Sequence, residues 1–311
     1  SVYLHSFTYL LCSYTTAAMT KPEHHHMHRP KISTLENNPI SPLLPYGSLI
    51  LTCCVICIAL ITNCLERWIL PRIYRRFYPD LEKDERRRRS FTYFHVGAFI
   101  LISLVISTGY PMMDFLVGNA VFSAPVVNGG KVTVGDHLLV ATEVYCAYYI
   151  FEMCFRTKFA SYISIAHHVG LLIIAQTALS LFADPKKNHE ATVEFYMCMV
   201  WGTFDVVVEI PIFLTMIIWR IKRDDALLLS RLAFGCCVWA VVGALTETIV
   251  TIHLLQSSWN QWGLEWKIIT PVVFSLWITT QLYGSTRLYA MARAESRKAK
   301  CKSESEEDLP V

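Results

Sequence analysis

Two adjacent histidines, His167 and His168, lie near the middle of an apolar stretch, FEMCFRTKFASYISIAHHVGLLIIAQ, residues 151–176. A second apolar stretch, WGTFDVVVEIP, carries Asp205 and Glu209. Ionisable groups are rare inside membrane-crossing helices and mark function where they occur. Asp205 and Glu209 are spaced i, i+4 and so share one helix face. A neutral imidazole can take a proton from a hydroxyl or amine nucleophile. A carboxylate behind it fixes the tautomer and stabilises the imidazolium that forms. His167, His168, Asp205 and Glu209 together are therefore equipped for acyl transfer or hydrolysis. Successive residues point about 100° apart around a helix, so one histidine faces a given acid, and spacing leaves open which. The competing reading is that these groups satisfy one another and lock helix packing.

Other polar residues in apolar runs form a supporting set. His95 stands early in one run, in SFTYFHVGAF. Glu152 and Arg156 are spaced to pair at a membrane interface. Gln281 and Tyr283 fall at the depth of the histidines, where they are expected to bond into the site. Glu143 is placed to face the bundle. Glu247 stands near the far end of its run and is expected to be solvated. No metal is expected: neighbouring helical histidines chelate one ion poorly, and H-x-x-H-H clusters are missing. Cys53-Cys54-x-x-Cys57 has no second Cys/His pair at matching spacing and reads as packing. His24, His25, His26 and His28 read as a solvated tract, since a flexible chain does not fix a coordination geometry. The chemistry needs no cofactor.

These residues require helices that hold them at depth. Of 311 residues, 53% are hydrophobic and 17% charged, and the formal net charge is +3. A soluble domain carries about 25% charged residues. The modest charge and the lack of finger spacing or basic–aromatic stripes exclude a nucleic-acid partner. Seven apolar segments run approximately 47–66, 91–118, 137–154, 159–182, 193–219, 226–254 and 267–290. A helix of about 20 residues crosses the hydrocarbon. His168 lies roughly 15 Å into the fourth segment and Glu209 roughly 16 Å into the fifth, at 1.5 Å per residue. Joined by a short loop, these two segments are antiparallel neighbours. Pro111, Pro211 and Pro271 are tolerable kinks, and Pro211 is expected to open backbone carbonyls toward a cavity.

Loop charge sets the topology. Nine Lys/Arg lie between Arg67 and Arg89, and Arg156, Lys158, Arg220, Lys222 and Arg223 fall on the same side. The tail beyond Met291 is basic too. By the positive-inside rule that side is cytosolic, and the N-terminus is lumenal or exterior. The expected organisation is an all-α polytopic bundle of about seven helices. It comprises an N-terminal arm (1–46), a first span with a basic loop (47–85), a six-helix membrane domain (86–290) and a cytosolic tail (291–311). The tail ends SESEEDLPV and reads as a solubilising disordered end, with phosphorylation of Ser303 or Ser305 as the alternative.

Several features stand in an order that resembles the TLC-domain family, which includes ceramide synthases, translocon-associated membrane proteins and lipid-homeostasis proteins. They are RRRRSFTYFHV, YYIFEMCFRTK, the His167-His168 pair and the acidic segment with Asp205 and Glu209. The likeness covers residues 86–290. Trp201-Gly202 stand where a synthase has His-Asp, and EIPIFLTMIIWR resembles the non-synthase branch. The resemblance implies a multi-pass protein of the endoplasmic reticulum or another endomembrane. It would bind or sense membrane lipid, sphingolipid included, in an intramembrane polar cavity. The alternative it implies is N-acyl transfer from acyl-CoA to a long-chain amine, with a histidine as base. The seven segments alone would also suit a seven-helix receptor.

Overall fold

The computed structural model describes Leu35 and residues 39–127, 129–156, 161–184, 188 and 191–307, with backbone alone for residue 156 and residues 303–307. The chain divides into Ser1–Thr34 and Leu35–Val311, and all described residues belong to the second unit. The four-histidine tract, Lys158, Lys186, Lys187 and the Arg156, Ser303 and Ser305 side chains lie outside them.

Among the described residues the regular elements are helices, with one isolated bridge, Pro125 to Thr133. The first long stretch is α1 (Gly47–Cys64), followed by a π-helical turn (Leu65–Ile69) and α2 (Leu70–Ile73). Short α3 (Tyr78–Glu82) leads to α4 (Glu85–Leu116). Then come α5 (Val134–Arg156), α6 (Tyr162–Leu181), α7 (Ala191–Ile221), α8 (Ala226–Ser258) and α9 (Leu264–Glu307). Five stretches are long and apolar enough to cross a membrane: Leu44–Ile73, Glu85–Leu116, Val134–Phe155, Tyr162–Leu181 and Ala226–Gln261. An integral membrane protein follows from these five. The 31-residue α7 and the 44-residue α9 have the length but are not among them.

Capping sets where several helices begin. Asp84 Oδ1 accepts from the backbone N–H of Arg86 (3.0 Å) and Arg87 (3.3 Å). Such a cap satisfies donors that a helix start otherwise leaves bare. Helix α4 therefore starts six residues before the apolar run, with the four arginines in its first turns. Their charges are answered locally: Arg87 pairs with Asp84, Arg88 with Glu66 and Arg89 with Glu85. Ser161 caps α6 through Ser164 N–H (3.1 Å), and Asp225 caps α8 through Leu228 N–H (3.0 Å).

Two expectations are corrected here. The tail read as a disordered end continues α9 as helix through Glu307. Its sequence, MARAESRKAKCKSESEE, is dominated by strong helix formers, and Lys298 pairs with Glu295 one turn back. In the stretch read as an arm, Leu35 and Ile40 are buried. Ser41 donates to Asp136 Oδ1 at 2.5 Å, and a Cβ on Gly135 would collide with the Ile40 carbonyl. Ile40 and Ser41, just before α1, are thereby fixed to the start of α5.

Packing pairs close a ring in the order α4, α5, α6, α9, α8, α7 and back to α4, with α6 and α7 also in contact. Helix α1 packs on the outside of α5 and α4. Its most apolar window is 11% buried, against 61% for that of α5. Outward-facing apolar side chains such as Ile56, Ile106, Ile173, Ile249 and Val272 are exposed. A belt of this kind is what lipid contact accounts for. Gly97 of α4 allows the ring to close tightly: a Cβ there would overlap the Phe213 ring of α7 and stand 2.9 Å from the Tyr148 hydroxyl of α5.

Candidate functional site

All six ring helices send polar or aromatic side chains inward. His167 and His168 on α6 are both buried, at 5% and 6% exposure. They face different neighbours, as successive helical residues must. His168 Nε2 stands 3.4 Å from Glu152 Oε2 of α5 and 3.3 Å from Ser164 Oγ. The Tyr149 ring lies alongside it, with centroids 4.5 Å apart. His167 turns toward α9 and packs edge-to-face with Trp277 at 4.6 Å between centroids. The Nδ1 atoms of both histidines are buried without a hydrogen-bond partner.

Asp205 is buried on α7, and its environment differs from the one expected. Tyr145 and Tyr149 of α5 both bring their hydroxyls to Asp205 Oδ2, and the two hydroxyls are 2.8 Å from each other. A second phenol contact runs from Tyr148 to Tyr93 of α4 at 2.8 Å. Asp205 is thus held by phenols, while the carboxylate beside His168 is Glu152. Tyr149 lies between Asp205 and His168, touching both, and Glu152 of α5 stands beside His168. Glu209 is half-buried one turn from Asp205 and within electrostatic reach of Tyr145, Tyr148 and Tyr149.

The remaining sequence candidates separate. His95 is bonded at both nitrogens, Nδ1 to the Phe91 carbonyl and Nε2 to the Tyr74 hydroxyl, each at 2.9 Å. A carbonyl only accepts, so Nδ1 carries the hydrogen and Nε2 accepts from Tyr74. This histidine joins α4 to the turn after α2. The Arg156 side chain lies outside the described residues. Tyr283 is 44% exposed. Glu143 is buried and accepts from Gln176 Nε2 at 2.9 Å.

Glu247 is a correction. Expected in solvent, it is 0% exposed. Its Oε2 accepts from Gln281 Nε2 at 2.8 Å, and Trp277 and Asp205 are among its near neighbours. Gly243, one turn before it, lets Val208 of α7 approach to 2.5 Å of where a Cβ would stand, so α8 lies close against α7 here. Pro211 also acts differently from the expectation. Lacking an N–H, it leaves the carbonyl four residues back without its helical donor. That carbonyl belongs to Val207, and the Trp239 indole N–H of α8 donates to it at 3.1 Å.

Tyr145 and Trp277 carried no expectation from sequence, and Tyr148, Tyr149, Trp201 and Glu247 were named without a place in the site. Tyr145, Tyr148, Tyr149 and Glu152 recur at three- and four-residue spacing on α5, and that recurrence is a readable signal. Trp201 and Trp277 each pass for ordinary core. Away from this centre, a groove of about 950 Å³ lies between the α7–α8 turn and α9, lined by Lys222, Asp224, Leu227 and Lys300 among others. Among the described residues no group of three or more His, Cys, Asp and Glu side chains is arranged to hold a metal ion. Comparison with family models, with curated proteins and with solved structures finds no match to the chain.

Proposed function

We propose that this chain is a seven-span membrane protein that binds membrane lipid at the ring's polar centre. The observation that carries the reading is the pair of buried imidazole nitrogens, Nδ1 of His167 and of His168, without partners. Buried polar atoms are almost always hydrogen-bonded, and each exception calls for an explanation. A lipid headgroup bearing hydroxyl or amide N–H donors supplies the missing bonds, and the exposed apolar belt places the protein where such lipids are. The basic loops put the C-terminus in the cytosol and the N-terminus in a lumenal or exterior space. The resemblance to the TLC-domain family favours sphingolipid and an endomembrane such as the endoplasmic reticulum. The test is mass spectrometry of lipids that co-purify with the full-length protein, wild type beside His167→Ala/His168→Ala. One lipid class enriched on the wild type and depleted on the variant is expected. Identical lipid profiles on two well-folded proteins would sink the reading.

One arrangement favours a second reading, N-acyl transfer from acyl-CoA to a long-chain amine. His168 presents Nε2 to Glu152 at 3.4 Å and leaves Nδ1 unpartnered. If Nε2–H is given to the carboxylate, Nδ1 holds a lone pair that can accept a proton from an attacking amine. Glu152 then steadies the imidazolium, which returns the proton to the CoA thiolate as the thioester C–S bond breaks and the amide forms. Incubation of purified protein with a long-chain amine and acyl-CoA decides the matter. Amide formation in the wild type, reduced at least about a hundredfold in Glu152→Gln and His168→Ala, establishes transfer. No amide at any chain length from folded wild type removes it.

A further inference from the structure

Helices α4 and α7 run antiparallel, and their contacts fix a register. Phe213 of α7 lies against Gly97 of α4, and Ile217 packs on the apolar cluster of Leu70, Tyr78, Leu81 and Phe91. Both helices rise about 1.5 Å per residue. Counting outward from these contacts brings Arg220 level with Ser90, and Arg223 level with Arg87. The end of α7 therefore stands beside the first turn of α4, and four arginines meet at this corner: Arg86, Arg87, Arg220 and Arg223.

The corner holds more positive charge than it answers. Arg223, Arg87 and Arg86 are, with Asp84, the charged groups that act most strongly on Arg220. Asp84 is the one acid of that set, and it is already committed. It caps α4 through the N–H groups of Arg86 and Arg87 and pairs with Arg87 Nε at 3.1 Å. Neighbouring acids have duties elsewhere: Glu85 pairs with Arg89, Glu66 pairs with Arg88, and Asp225 caps α8. Asp224 lines the groove against α9 together with Lys222. Arg220 is half-buried, and its Nε is buried without a hydrogen-bond partner. A guanidinium donates five hydrogen bonds and accepts none. What is missing is an anion with several acceptor oxygens.

A phosphate monoester has that form. It carries about −1.5 to −2 charges at pH 7 and three strong acceptor oxygens, and guanidinium forks match its geometry two oxygens at a time. A phosphodiester offers one charge and two free oxygens. The place fits as well: the apolar run of α4 begins at Phe91, one turn beyond Arg87, so the corner lies at the edge of the hydrocarbon. Arg86, Arg87 and Arg223 are exposed there. We infer that Arg86, Arg87, Arg220 and Arg223 form a binding site for a phosphomonoester dianion, carried on a lipid headgroup or on a soluble molecule. The site lies apart from the histidines and does not depend on what the polar centre binds.

The experiment is equilibrium binding of radiolabelled dioctanoyl phosphatidic acid to the full-length protein in maltoside micelles at physiological salt. Saturable binding is expected, displaced at least about tenfold better by unlabelled phosphatidic acid than by dioctanoyl phosphatidylglycerol, a phosphodiester. Arg220→Gln/Arg223→Gln should weaken binding at least about tenfold. Arg223→Gln alone, at an exposed position, should weaken it several-fold and covers the case in which the double variant does not fold. Lys222→Gln/Lys300→Gln removes the same charge from the neighbouring groove and should leave binding within about twofold, because salt screens exposed charges at a distance. Equal displacement by the phosphodiester would overturn the proposal, as would wild-type affinity in both arginine variants. A loss in the lysine pair as large as in the arginine pair would overturn it too, since it would mark general attraction to a basic face. Glycerol 3-phosphate separates the two sources. Displacement as good as by phosphatidic acid supports the site with a soluble ligand, and much poorer displacement supports it with a lipid.

Discussion

Asp205 and Glu247 pose one physical problem and receive two answers. Both are carboxylates inside helices of the ring, and both are buried. Asp205 is met by two phenol hydroxyls from α5, and its demand for donors is answered within the fold. Glu247 is met by the Gln281 amide at 2.8 Å and has the Trp277 indole beside it, while one oxygen on each of Glu247 and Gln281 lacks a well-formed bond. The first arrangement fastens helices together. The second is fastened by fewer formed bonds. A buried charge is thus no indicator of function by itself; the donor count around it tells the two cases apart.

The sharpest way to break this comparison is Asp205→Ala. It strips the acceptor from Tyr145 and Tyr149 at once and should destabilise the protein by about 3 kcal/mol or more. Thermal melting in detergent micelles reads the loss. Next in size is Gly97→Ala, where the new methyl must displace the Phe213 ring, at a cost of about 1–3 kcal/mol; the same melt would show it, and an unchanged midpoint would mean that α4 and α7 are less closely packed than described. Tyr149→Phe removes one of the two donors to Asp205 and should cost about 1 kcal/mol. Trp239→Phe should cost a similar amount, about 1 kcal/mol, by leaving the Val207 carbonyl bare. Glu247→Gln should cost nothing and raise the midpoint if anything, because the amide still accepts from Gln281 and a buried charge is removed. Equal destabilisation by Glu247→Gln and Asp205→Asn, measured side by side, would erase the distinction between the two sites.

The helical class was legible because long apolar runs need no tertiary knowledge to recognise. His167, His168 and Asp205 were legible for the same reason, as ionisable groups standing out against an apolar background. The partners were not. Which acid reaches His168 depends on how far α5 is rotated against α6, and no spacing within one segment encodes that rotation. Glu152 was assigned to Arg156 by the i, i+4 rule, yet the structure also sets it 3.4 Å from His168 across the helix boundary. Glu247 was misplaced because depth was counted from a segment end read at 254, whereas α8 continues to Ser258. The same limit hid the helical tail, since charge and helix propensity point opposite ways when disorder is inferred from charge.

The indole of Trp239 on the Val207 carbonyl has a consequence for biosynthesis. The chain emerges with α7 ahead of α8, so the Val207 carbonyl is made before the indole that answers it. Until α8 arrives, the carbonyl opposite Pro211 has neither a helical donor nor the indole N–H. The carbonyl is therefore satisfied only once α7 and α8 have packed as a hairpin. In that sense the proline sets an order of assembly, and the tryptophan completes it.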